Sequence, residues 1–158
     1  MKNIDKSYTL KIVGHGSQEE FLKQYSKNLN LNNRVEFIGK VKHEELVKHY
    51  QSAYCLIVPS RSPETFNLTG IEALKAGLPV IAADAGGIKE WLRHEVNGLL
   101  FESNNSDDLT SKINTLISNP TMHQNFCFNA FKSMIYDFKS QTHINSLIET
   151  FNQNIKGV

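Results

Sequence analysis

The chain has 158 residues, with 17 lysines and arginines against 16 aspartates and glutamates and a formal net charge of +1. A chain of this length makes one domain with a real core, and no field of one sign exists to draw it to nucleic acid or to an anionic membrane surface. Cys55 and Cys127 stand far apart with no CxxC pair, so nothing points to an oxidising compartment.

The first residues, MKNIDKSYTLKIV, hold too short an apolar stretch for a signal peptide or a membrane span. A cytosolic protein is the expectation. Tyr8 to Val13 reads as a strand running into the tight turn Gly14-His15-Gly16. Ser17 with Glu20 three residues on has the capping-box pattern, which predicts a helix to about Leu29. Arg34 to Ile38 reads as a second strand closed by Gly39. His43 to Ala53 reads as a second helix, with Leu46, Val47 and Tyr50 on one face. Cys55 to Val58 is a continuous apolar run, as expected of a strand covered on both faces, and Cys55 reads as a buried thiol. A helix from about Asn67 to Ala76 follows, then a strand from Pro79 to Ala83, a short helix from Gly86 to Arg93 and a short strand from Gly98 to Phe101. Asp107-Asp108 reads as a helix start. Helical patterns run from there to about Lys156, with breaks near Asn119-Pro120 and Phe138.

Strands alternating with helices of about ten residues predict an α/β fold, a Rossmann-like parallel sheet with helices on both faces and a helical C-terminal tail. Ligands of such sheets bind at the carboxyl ends of the strands. The loops Gly14–Ser17, Pro59–Asn67 and Ala83–Gly87 should therefore open on one rim.

The segment from Pro59 to Glu102 carries the chemistry. Glu64 precedes a helix by about one turn and Glu72 lies in its second turn. The amides of Phe66, Asn67 and Leu68 are expected as donors at the helix N-terminus, where an anion needs no basic side chain to be held. Carboxylates on either side accept hydrogen bonds from hydroxyl groups. Such a site suits a ligand with both phosphate and sugar. Two glutamates at this spacing, taken alone, read as ordinary surface carboxylates, and it is the surrounding string that reverses this reading. Gly70, Ala73 and Ala76 are small and let the helix approach the sheet. His15 reads as a solvated loop histidine, with reach to a sugar or leaving group as the alternative, Trp91 as a core aromatic, and Arg61 either as an exposed loop arginine or as a phosphate contact. The six histidines show no metal-ligand spacing, and no Asp-x-Asp is present for a catalytic cation.

The string E-T-F-N-L-T-G-I-E-A-L-K-A-G-L-P-V-I-A, starting at Glu64, resembles the signature E-x-F-G-L-x-x-x-E-A-x-A-x-G-x-P-V-I-A of the "glycosyl transferases group 1" type (family 4), retaining enzymes of GT-B fold. LKIVGHG (Leu10 to Gly16), VEFIGKVKHEELVKHYQSA (Val35 to Ala53), Gly86-Gly87 with Glu90, and Asn97-Gly98-Leu99 are similar to further landmarks in the expected order. The resemblance covers roughly residues 8 to 118.

The resemblance implies the donor-binding domain of a two-domain enzyme. Glu64, the catalytic candidate, would hold hydroxyls of the donor sugar without acting as a nucleophile. Glu72 would hold the ribose, and the Phe66, Asn67 and Leu68 amides would meet the sugar and distal phosphate. Val41 would border the base. Gly14 and Gly16 would let backbone approach the donor, a simple turn being the alternative. The substrate would be a nucleotide diphosphate sugar, with no cofactor and no metal. Transfer would run with retention, the leaving phosphate taking the acceptor's proton. Bacterial polysaccharide or glycolipid synthesis is the implied setting, with peripheral membrane association of a full-length enzyme left open.

Two departures stand out. Asn67 occupies the place of a glycine, which bears on the donor sugar. The family's diphosphate-gripping Arg and Lys belong to a strand and loop before LKIVGHG, and neither they nor the N-terminal acceptor domain is in this sequence. The isolated chain is therefore expected to be inactive. The alternative is a free-standing nucleotide-sugar-binding subunit that works with a separate acceptor-domain partner. An unpartnered apolar stripe on a Thr142–Ile155 helix would mark a missing domain.

Overall fold

The computed structural model describes residues 1–61 and 65–136. The expected break at Phe138 and the Thr142–Ile155 helix lie outside these residues, as does Glu64. In chain order the elements are β1 (Leu10–Val13), α1 (Glu19–Asn28), β2 (Val35–Gly39), α2 (His43–Ser52), β3 (Leu56–Val58), α3 (Leu68–Lys75), β4 (Val80–Ala83), a 3-10 turn (Gly86–Glu90), β5 (Gly98–Phe101), α4 (Ser106–Ser118) and α5 (Pro120–Tyr136). The alternation predicted from the sequence is present, with boundaries mostly within two residues. The segment read as a helix from Gly86 to Arg93 is shorter and tighter than expected, because the chain turns at Trp91 to bury the indole.

Every described strand pair is parallel, but hydrogen bonding divides the strands into two ladders. β1 pairs with β2 (Leu10 opposite Val35), and β4 lies between β3 and β5 (Val80 opposite Leu56 and Gly98). Tyr8 and Tyr54, each two residues ahead of its strand, meet edge-on at 5.3 Å, a side-chain contact that links the two ladders.

β4 carries the core. All four of its residues are buried, and they alternate between two clusters as a pleated strand requires. Val80 and Ala82 join Tyr50 of α2, Ala73 and Leu74 of α3, and Ile88, Trp91, Leu92 and Ala130. Ile81 and Ala83 join Leu99, Phe101, Leu116 of α4 and Phe126 of α5. Both faces of this ladder are thus covered, the usual state of a parallel sheet. Each large side chain so enclosed contributes about 1.5–3 kcal/mol. The β1–β2 ladder is different: no residue of β1 is fully buried, and Phe21, Leu22 and Tyr25 of α1 face solvent. Arg34 ties the N-terminal residues to this half, its guanidinium donating to the carbonyls of Met1, Ile4, Asp5 and Tyr8.

Local signals explain the starts of α4 and α5. Asn105 caps α4 by accepting from the amides of Asp107 and Asp108 at 3.1 and 2.9 Å. Asn119 accepts from the Met122 amide at 3.0 Å, with Pro120 at the first position of α5. The expected Ser17–Glu20 capping box does not form. Gln18 occupies the cap position without a side-chain bond. Glu20 pairs instead with Lys23 at 2.9 Å, one turn along the helix.

Candidate functional site

The site is built at the start of α3. Asn67 adopts a left-handed conformation (φ 55°, ψ 80°), and its side-chain oxygen accepts from the Gly70 amide at 3.0 Å. Asparagine tolerates these angles because its short polar side chain bonds locally. The residue that departs from the signature's glycine thus keeps the turn and caps the helix as well. The helix begins at Leu68, so its first-turn amides are those of Leu68, Thr69 and Gly70, two residues later than the expected Phe66–Leu68 set. Gly70 is capped. The Leu68 and Thr69 amides have no acceptor among the described residues, and both residues are exposed. Two open N–H groups at the positive end of a helix dipole can hold an anion.

Glu72 stands one turn further along, half-buried. Its Oε2 accepts from the Tyr50 hydroxyl at 3.3 Å, across from α2. Burial, then the Glu72 charge, pushes the Tyr50 phenol up to about 12, so it stays a proton donor.

Trp91, read from the sequence as a core aromatic, is that and more. It is 2% exposed. Its indole N–H donates to the Phe66 carbonyl, and its ring lies directly under α3. A Cβ on Gly70 would come within 2.2 Å of that ring, so only glycine fits there. Asn97, wholly buried, holds Trp91 in turn: its Nδ2 donates to the Trp91 carbonyl at 3.0 Å while its Oδ1 accepts from the Arg93 amide at 2.8 Å. Gly98 beside it lets β5 approach β4, since a Cβ there would meet the Val80 carbonyl oxygen at 2.1 Å. The contact of Trp91 with the loop before α3 carried no sequence signal, because its partner lies 25 residues away.

Gly14 and Val41 sit at the exits of β1 and β2, which are joined by the Gly14 amide bonding the Gly39 carbonyl at 2.8 Å. Gly14 has φ 132°, a conformation that favours glycine. A Cβ at Gly16 would meet nothing within 4 Å. Val41 is half-buried. His15 is exposed, with Nδ1 2.8 Å from Glu19 Oε2. Lys23 and then His15 hold the Glu19 carboxyl below its usual range. Cys55 is a free thiol that burial pushes up to about 12.

A separate open cleft of about 540 Å³ lies at the exits of β4 and β5, lined by Asp84, Lys89, His94, Glu102 and Ser103 among others. None of the residues expected to bind the donor lines it. Its polar groups are engaged with the protein: Lys89 pairs with Asp84 at 2.9 Å, His94 Nδ1 accepts from the Leu100 amide at 3.0 Å, and Ser103 Oγ donates to the Ser60 carbonyl at 3.3 Å. Among the described residues no three His, Cys, Asp or Glu side chains gather as a metal site would require. No helix among them is long and apolar enough to cross a membrane.

Comparison with known proteins bears on this geometry. The family model of glycosyl transferases group 1 matches residues 1–133. An uncharacterised glycosyltransferase of Haemophilus influenzae is 37% identical over 117 residues, spanning 73% of this chain and 32% of that protein. Anabaena Alr3699/HepE, solved in complex with UDP-glucose, superposes with a TM-score of 0.82 at 30% identity, over 94% of this chain and 42% of that one. In fold, the C-terminal domain of the group 1 glycosyl transferase LpcC from Francisella tularensis matches with a TM-score of 0.73 at 20% identity, over 88% of this chain and 90% of that one. The chain spans about a third of the length of that Haemophilus protein and of two similar glycosyltransferases of Methanocaldococcus jannaschii. With a parallel sheet clothed in helices and a single GT-B-type domain, the chain belongs to the glycosyl transferases group 1 family.

Proposed function

We propose that this chain is the donor-binding half of a glycosyltransferase that moves a sugar, with retention, from a nucleotide diphosphate sugar to an acceptor in polysaccharide or glycolipid synthesis. The observation that carries the reading is one helix, α3, offering two open amides at its start and a carboxylate one turn later. The amides suit the diphosphate and the carboxylate suits a ribose diol. HepE, which shares the fold, was solved with UDP and with UDP-glucose. Phe66, Asn67 and Leu68 would line the sugar and distal phosphate, Glu72 the ribose, Val41 the base, and Gly14 and Gly16 the backbone approach. Glu64, which precedes α3 in sequence, would bind the sugar hydroxyls. Helix amides would stabilise the leaving diphosphate without a metal ion.

The chain alone would bind donor but not transfer sugar. The family's Arg and Lys belong to a strand ahead of Leu10, and the division of the sheet between β1 and β3 supports a place for such a strand. Whether that strand and the acceptor domain come from the same polypeptide or from a separate partner, the donor site is the same. Calorimetric titration with UDP, GDP and ADP, alongside Glu72→Ala, tests the reading. Saturable binding of one nucleotide, weakened by the substitution, is expected. A folded chain that binds none of them overturns it.

A further inference from the structure

Among the described residues the Glu72 side chain has one partner, the Tyr50 hydroxyl at 3.3 Å, and no cation. Lys75, one turn on, makes no ion pair with it. A carboxylate has room for about four hydrogen bonds, and a half-buried one with a single neutral donor is under-supplied. Tyr50 is only 5% exposed and packs within the cluster that holds Ala73, Leu74 and Trp91, so its hydroxyl cannot swing away. The phenol comes from α2 and the carboxylate from α3, and the contact locks the two helices in register at that point.

We infer that Tyr50 is a positioning residue for Glu72: its hydroxyl engages Oε2 and fixes the rotamer, leaving Oε1 to accept from the ribose 2′-hydroxyl of a bound nucleotide. The inference rests on the donor-site reading above. It differs from a purely structural role, in which Glu72 serves only to satisfy a buried phenol. A carboxylate free to rotate must be ordered on each binding event, and removing the phenol restores that freedom.

The test compares two ligands on the full chain: the nucleoside diphosphate among UDP, GDP and ADP that it binds, and the 2′-deoxy counterpart of that nucleotide. Wild type is expected to favour the ribose form by about tenfold, the size of one charge-assisted hydrogen bond. Glu72→Gln should cut that preference to about twofold or less. Tyr50→Phe, which keeps the ring, should lower it at least about threefold while leaving the deoxy nucleotide's affinity within about twofold. Glu72→Gln should cost less in the Tyr50→Phe background than in wild type. The inference is overturned if Tyr50→Phe keeps the ribose preference, if it weakens both nucleotides equally, or if the two substitutions act independently. Failure of wild type to bind any nucleotide overturns the donor-site reading itself, and this inference with it.

Discussion

The indole N–H of Trp91 donates to the carbonyl of Phe66, the residue that leads into the α3 turn. One ring therefore sets both the height of the loop and the depth of the helix, because Gly70 rests on its face. The Asn97 side chain holds the Trp91 backbone in place from below. The open amides of Leu68 and Thr69 are thus mounted on the core of the domain, as an anion site needs if its geometry is to be fixed before the ligand arrives.

Gly70→Ala tests this mounting. The added methyl has no space against the buried indole, and neither partner can move without displacing the core. A loss of about 1–3 kcal/mol is expected, the usual cost of overpacking. In an exposed helix the same change would stabilise the protein. The midpoint of urea unfolding, followed by the fluorescence of the sole tryptophan, gives the sign. A midpoint at or above wild type would remove the argument.

Trp91→Phe separates packing from hydrogen bonding. It keeps an aromatic ring under Gly70 but frees the Phe66 carbonyl. Stability should fall by about 1–3 kcal/mol from lost volume and one lost bond. Hydrogen exchange of the Gly70 amide, which is bonded to Asn67, should rise more than that of β4, whose own bonds are untouched. Uniform acceleration across the domain would mean that the indole is a filler and not a fastening.

The sequence was most legible where the determinants are local. Strand and helix alternated as read, Asn119-Pro120 broke the helical tail, and Asn67 kept a left-handed turn with its own cap. It was least legible where partners are remote. Apolar runs mark strands without naming their neighbours, so the division into two ladders was not foreseen. Glu20 had a capping partner and an ion-pair partner at similar spacing, and the ion pair with Lys23 won. Tyr50 read only as part of an apolar face, because nothing in its surroundings announces a carboxylate on another helix. Glu64 falls outside the described residues, and its role rests on the resemblance and the proposal alone.

Alkaline pH should unfold the domain early. Tyr50 and Cys55 are each pushed up to about 12, chiefly by burial, which disfavours their anions. In the unfolded chain they ionise near their ordinary values, about 10 and about 8.5. Between those values and 12 the unfolded chain has released protons that the folded chain still holds. The stability these groups contribute is therefore complete below about pH 8.5 and is lost as pH rises toward 12. Urea midpoints measured from pH 7 to 11 should fall with a slope that steepens above pH 10. In Tyr50→Phe the steepening above pH 10 should be reduced, and an unchanged slope would show that Tyr50 does not contribute to it.

Asn67 makes two contributions that two substitutions can separate. Its backbone is left-handed, which costs most L-residues about 1–2 kcal/mol. Its side chain caps Gly70, typically a contribution of about 1 kcal/mol. Glycine loses the cap but meets no backbone penalty, so Asn67→Gly should lie within about 0.5 kcal/mol of wild type. Alanine loses the cap and keeps the penalty, so Asn67→Ala should be less stable by about 2 kcal/mol. In the glycine variant the turn and the open Leu68 and Thr69 amides stay in place, because the Gly70 amide keeps its 3.2 Å bond to the backbone carbonyl of residue 67. In calorimetric titration that variant should therefore bind a nucleotide diphosphate sugar at least as tightly as wild type, and the alanine variant more weakly. Equal stability for the two variants would mean that the backbone conformation at Asn67 exerts no control over the turn. Equal binding together with unequal stability would mean that the start of α3 does not touch the donor.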